Sequence, residues 1–263
     1  MECELLPREI AYADDVDFVA FQDIDIEEVG KVLEKYNLQV KVAKTEFTNL
    51  SRGETNWQIG TLIGDQEDIE RRKQISSAAL VKLKNVWLKG DKITKNTKLK
   101  LYKALVKSVL TYNLGTWALT QSQEERLNAF HRKQLKKVLN IKYHVKITNS
   151  SLYNKCNERP LSIFILESRW RLFGHIMRRD KQIPANQAMS GYFVTEGSKF
   201  KGRPLTTLPV VLNRDLSRII NSNLQLKSSH DLEHLRSIAQ QRDEWTKLTA
   251  RIREAAEASQ SEH

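Results

Sequence analysis

Two cysteines, Cys3 and Cys156, are all that 263 residues contain. So small a set excludes a disulfide framework and fits a reducing compartment. It also excludes a self-contained zinc knuckle, which needs several Cys and His at short spacing. No apolar run approaches the length that a membrane-spanning helix needs. The first residues are acidic, without the basic and apolar stretches of a secretion signal. There is no Walker-type loop, nucleophile elbow, metal-ligating His pair or internal repeat. The expectation is an intracellular protein, nuclear or cytoplasmic, neither secreted nor membrane-bound, and long enough to bury a real core.

What the chain has in abundance is charge, unevenly spread. The formal net charge is +11. Residues 1–30 hold one basic and ten acidic side chains, and residues 31–70 hold five and seven. Residues 71–146 hold nineteen basic and three acidic, a balance of +16. Residues 147–204 hold ten and four, and residues 205–263 balance at eight and eight. A solvated helical surface is the usual fate of charged runs, yet nineteen against three favours contact with a polyanion.

The acidic segment contains Tyr12-Ala13-Asp14-Asp15 between two short apolar runs. That pattern predicts strand, tight turn, strand, because β-branched and aromatic residues flank turn-tolerant aspartates. Two neighbouring carboxylates repel each other, and a hard divalent cation relieves that. Mg²⁺ is commonly held by one or two carboxylates together with substrate phosphates. A bare Asp-Asp pair in a turn is more often simply solvated.

Taken in order, further segments follow this hairpin: Lys44-Thr45-Glu46, then Trp57-Gln58-Ile59-Gly60-Thr61-Leu62-Ile63. Next come Leu101 to Val106, Thr111-Tyr112 and Thr116 to Thr120. Arg169 to Arg178 and Gly202-Arg203-Pro204 close the series. In order and spacing the set resembles the LINE-type (non-LTR) retrotransposon reverse transcriptases, from about residue 8 to about residue 250. The resemblance implies an α+β fold: a small remnant of a palm sheet, a mainly helical thumb and a C-terminal helical extension. It implies an RNA-directed DNA polymerase acting by phosphoryl transfer with Mg²⁺. Asp14 would be the principal metal ligand, Asp15 the supporting carboxylate, and Tyr12 would line the site. Trp57 and Gly60 would belong to the primer grip. The partners would be an RNA template and a DNA primer, or their hybrid.

Under this reading residues 1–65 are partial palm, 66–146 a basic thumb-like unit, 147–204 the extension and 205–263 amphipathic helices with a frayed tail. Apolar spacing from Ile69 to Trp87 predicts one long helix. Thr94 is placed to cap the next, on which Lys100, Lys103 and Lys107 share a face. A third helix, from about Gln121 to Asn140, carries Arg132, Lys133, Lys136 and Lys137. Ser150-Ser151 precedes a short helix, and Pro160 starts a longer one reaching Arg179. In the extension, Arg169, Arg171 and Arg178 mix with Trp170 and Phe173, a composition suited to backbone or single-strand contact. The plainer reading makes Trp170, Phe173 and Ile176 core. His175, without clustered partners, reads as structural or hydrogen-bonded. Lys199, Lys201 and Arg203 sit in a loop suited to phosphate contact.

The family's third catalytic aspartate lies on an earlier strand, upstream of the matched part. The chain alone is therefore expected not to polymerise, because positioning and charge neutralisation supply nearly all of phosphoryl-transfer catalysis. An upstream polypeptide would supply the rest of the palm. Two other readings stay open: a non-catalytic, sequence-indifferent nucleic-acid-binding module, and a decayed retroelement relic.

Overall fold

The computed structural model describes residues 9–12, 15–18, 65–88, 93–142, 144–194, 206–219 and 223–261, with isolated positions 31, 34 and 35. It is mostly helical. Strands β1 (Glu9–Tyr12) and β2 (Asp15–Phe18) pair antiparallel, with Tyr12 opposite Asp15 and Glu9 opposite Phe18.

The helix predicted from Ile69 to Trp87 is two: α1 (Asp65–Lys82) and α2 (Lys84–Leu88), parted at Leu83. Thr94 caps α3 (Lys95–Tyr102), its side chain accepting from Thr97 N at 3.3 Å. This rod then opens into one π turn, Lys103–Lys107, and closes as α4 (Ser108–Leu110). A π turn fits one extra residue into the ladder, so an even i, i+3, i+7 face does not continue through it. Asn113, in the left-handed region at φ 54°, turns the chain into a 3-10 turn, Leu114–Thr116. Gly115 lets that turn close on a later helix: a Cβ there would meet the Ser168 carbonyl oxygen at 3.0 Å.

α5 (Gln121–Val138) starts from a full capping box. Thr120 accepts from Gln123 N, and the Gln123 side chain accepts from Thr120 N. Its Leu127, Leu135 and Val138 are buried, each worth about 1.5–3 kcal/mol against exposure. α6 (Asn149–Cys156) is capped by Thr148, so Ser150 and Ser151 lie inside it rather than before it. α7 (Leu161–Arg178) follows Pro160 as expected. After it come α8 (Pro184–Val194), α9 (Leu208–Leu216), α10 (Ser229–Gln240) and α11 (Arg242–Ser261). The expected fraying of the tail is corrected here. α11 is helical to Ser261, and Ala256 is fully buried because it packs into the last core.

Three apolar cores form among the described residues. One joins Leu80, Tyr102, Val106, Leu135, Leu152 and Tyr153. A second joins Ile69, Leu110, Trp117, Leu127 and Leu161. The third joins Trp170, Phe173, Met177, Leu212, Leu235, Trp245 and Ile252. α7 serves two of them, with Leu161 and Ile165 in the second core and Ile163, Leu166 and Trp170 in the third. The cores therefore run across positions 146 and 204. Residues 66–146, 147–204 and 205–263 share apolar interiors, and α7 is packed from both sides.

Candidate nucleic-acid interface

The polar side chains that reach into these cores are tied to one another. Asp68 accepts from Trp117 Nε1 at 3.0 Å and from Arg72 Nε at 3.3 Å, all three being buried. Gln134 bridges two elements: it accepts from Tyr102 Oη at 2.9 Å and donates to Ser76 Oγ at 2.8 Å. Ser76 in turn donates to the Val106 carbonyl at 3.4 Å, inside the π turn. The Ser76 hydroxyl thus ties α1 to the π turn.

A second network corrects one expected nucleic-acid contact. Arg169 is 1% exposed and donates to Asp215 Oδ2 at 2.8 Å, so it is not a surface cation. Trp170 Nε1 donates to the same oxygen at 3.2 Å. Glu124 closes the cluster, 2.6 Å from Arg214 and 3.7 Å from Arg169. Burial raises the Glu124 carboxyl above its ordinary pKa, against the pull of Arg214 and Arg169. The physical reason for the correction is spacing: Arg169 falls on the same stripe of α7 as Ile165, Ile163 and Leu166, which face the interior. Trp170 and Phe173 are fully buried, in keeping with the plainer reading, and Ile176 packs against the same core.

The remaining expected contacts divide into three kinds. Lys103 and Lys107 both turn to Glu158, at 3.2 Å and 2.6 Å. Burial alone would raise the Glu158 carboxyl, but the hydrogen bond and charge of Lys107 outweigh it and hold it below its ordinary value. Arg178 is half-buried and donates to the Ala239 carbonyl at 3.3 Å, tying α7 to α10. Lys100, Lys133, Lys137 and Arg171 are exposed, and Arg132 and Lys136 half-exposed. His175 is exposed and its Nε2 accepts from Arg179 Nε at 3.4 Å.

α5 carries a row of exposed cations. Its inward stripe is Glu124, Leu127, Asn128, His131, Gln134, Leu135 and Val138. Opposite lie Arg126, Lys133 and Lys137, all exposed and with no carboxylate within 4.0 Å among the described residues. Arg126 adds to the expected set. It stands seven residues before Lys133, two turns along the same face, and that spacing was readable.

Tyr12 and Asp15 are placed by backbone pairing at the inner end of the hairpin. Asp14, Trp57, Gly60, Lys199, Lys201 and Arg203 lie outside the described residues. Among the described residues, no group of three or more His, Cys, Asp or Glu is placed to hold a metal ion. Among them too, no helix is long and apolar enough to cross a membrane.

The chain matches no protein-family model, no curated protein and no solved structure. The functional reading therefore rests on the residues and their geometry.

Proposed function

We propose that the chain is the C-terminal part of a LINE-type RNA-directed DNA polymerase, and that its basic helices hold a template–primer duplex by the backbone. One observation carries the binding half: the exposed stripe of Arg126, Lys133 and Lys137 on α5, free of carboxylate partners among the described residues. Of the two acids on α5, Glu124 is turned inward and paired, and Glu125 accepts from Gln121 in the first turn. Lys136 and Lys137 sit in the last turn, where the helix dipole alone would favour cations. Arg126 and Lys133 lie outside that turn, so the dipole does not account for them. Contacts of this kind read charge and spacing along a backbone, not base sequence.

The polymerase half is supported by the ordered motif series and by the hairpin that carries Tyr12 and Asp15. Asp14 and Asp15 offer oxygen ligands on adjacent residues, a donor set that would hold Mg²⁺ only weakly without the family's third aspartate. Bound there, Mg²⁺ would neutralise phosphate oxygens during phosphoryl transfer.

The test is an anisotropy titration of the chain against a labelled RNA–DNA hybrid at rising salt. The expected result is binding whose logarithmic affinity falls linearly with log salt, by about 0.9 per phosphate neutralised. Absent or salt-indifferent binding overturns the reading.

A further inference from the structure

Tyr112 is an aromatic residue left in solvent but not left loose. It follows α4 and is 56% exposed. One face of its ring lies against the Arg72 guanidinium, 4.6 Å from the ring centre. Arg72 is itself held: its Nε donates to Asp68 Oδ1 at 3.3 Å, and the other Asp68 oxygen accepts from Trp117 Nε1 at 3.0 Å. Arg72, Asp68 and Trp117 are all buried, and Trp117 belongs to the second core. The rear of the Tyr112 ring is thus fixed to the interior, and the exposed area belongs to the rest of it.

From this ring the chain turns onto an unpaired cation. Three residues, at most about 11 Å of backbone, separate Tyr112 from Gly115. A Cβ on Gly115 would stand 3.5 Å from Leu172 Cβ, so the turn rests on α7. There Ser168, Arg171, Leu172 and His175 line an open groove of about 320 Å³. Arg171 is exposed, and no carboxylate lies within 4.0 Å of its guanidinium among the described residues. Glu167, one helical turn before it, is taken by Arg159 and Arg253, at 2.9 Å and 3.5 Å.

A flat ring and an unpaired guanidinium, one short turn apart, suit a ligand that carries both an aromatic face and an anion. A peptide would have to bring an aromatic and an acid at the right spacing. An unpaired nucleic-acid strand has both in every nucleotide. We propose that Tyr112 is a stacking platform for one base of an unpaired strand, and that Arg171 takes a phosphate of a nearby nucleotide. The proposal rests on the nucleic-acid-binding reading above and adds recognition of single strands, which backbone contacts on α5 do not give. Arg72 holds the ring before the base arrives, so little side-chain freedom is lost on binding. Every base has a π-face, so the platform reads the absence of pairing and not the sequence. Bases inside a duplex are already stacked and do not reach it.

The full chain is titrated with oligo-dT and with an abasic strand of equal length at one salt concentration. The two strands carry the same phosphates, and only the first has bases. The expected result is oligo-dT bound about tenfold tighter, within the range one stacked base contributes. Tyr112→Ala should abolish that difference and leave RNA–DNA hybrid binding unchanged, whereas Tyr112→Trp should keep it. Should the alanine variant not fold by circular dichroism, Tyr112→Leu, which keeps apolar bulk over Arg72 without a π-face, takes its place. Arg171→Gln should keep the preference for bases and lower the salt slope by about 0.7, the value of one phosphate on a single strand. Equal binding of both strands by the wild type overturns the platform and leaves the backbone reading standing. So does a preference for bases that survives the loss of the Tyr112 ring. An unchanged slope in Arg171→Gln overturns the part given to Arg171. Binding of neither strand nor of the RNA–DNA hybrid overturns both readings.

Discussion

Trp245 lies across the backbone of Gly174. A Cβ on residue 174 would overlap the Trp245 indole, and that indole's Nε1 donates to the Trp170 carbonyl at 3.2 Å. Trp170 and Phe173 complete the cluster, their rings 5.5 Å and 5.7 Å from Trp245. A residue without a side chain on α7 is therefore what lets α11 approach.

Gly174→Ala should destabilise the fold, although alanine is the better helix former. The helix propensity gain is about 1 kcal/mol, whereas overpacking against a ring held on several sides costs about 1–3 kcal/mol and the indole hydrogen bond is broken besides. A net loss in urea unfolding is the expected outcome. Trp245→Leu should cost more alone, but adding Gly174→Ala to it should then cost nothing or help. Additive effects of the two changes would show that the pair does not act as a unit.

Arg169 and Asp215 are the second pair whose role can be separated from binding. Arg169→Met leaves the buried Asp215 carboxylate with only the Trp170 N–H and the longer, 3.7 Å contact of Arg218, so the loss should approach the roughly 3–5 kcal/mol of a broken buried pair. Combining it with Asp215→Asn removes the stranded charge and keeps an acceptor for Trp170 Nε1, so most of the loss should return. Nucleic-acid affinity per folded molecule should be unchanged in both variants. A drop in affinity at full folding would restore Arg169 to the interface.

These two pairs also show where the sequence was legible and where it was not. Cap residues announce themselves locally, and Thr94 and Pro160 mark helix starts that the structure keeps. Trp170 and Phe173 are apolar at helical spacing, so their burial was readable. Arg169 was not, because a basic residue beside aromatics fits both a surface contact and a buried ion pair. Its partner Asp215 stands 46 residues away. The π turn has no local signature either, and the Ser76 and Gln134 side chains that meet it arrive from other helices. Glu158 has no local mark of its role because it sits between two helices, and only folding brings Lys103 and Lys107 onto it.

His131 gives the fold a pH dependence of definite sign. It is fully buried between Tyr102 and Tyr153, with ring centres 6.0 Å and 6.1 Å away and neither nitrogen hydrogen-bonded. Burial first, and the charge of Lys107 next, lower its pKa to about 4. Between that value and the ordinary one of about 6.5 the unfolded chain binds the extra proton. Stability therefore rises with pH through this window. It is fully present above about 6.5 and falls by roughly 3 kcal/mol on the way down to about 4. Glu158, whose pKa is lowered, contributes its own loss as pH falls below its ordinary value of 4.5. His131→Phe keeps an aromatic ring in the stack and should flatten the stability profile across the window. An unchanged profile would move the titration to another group.

Charge reversal on α5 tests the interface where it is least entangled with the fold. Lys133 and Lys137 are exposed, and no carboxylate pairs with either among the described residues. Surface changes of this kind shift stability by about 0.5 kcal/mol or less. Lys133→Glu with Lys137→Glu should cost about 1 kcal/mol or less in urea unfolding, because Lys137→Glu puts an anion in the last turn, where the helix dipole disfavours it. It should weaken hybrid binding about uniformly across sequences and reduce the salt slope by about one for each phosphate that is no longer neutralised. If instead affinity falls with no change in slope, the two lysines act through the conformation of α5 and do not touch phosphate. If neither affinity nor slope moves, the polyanion lies on another face, and Lys100 and Arg171 become the cations to reverse next.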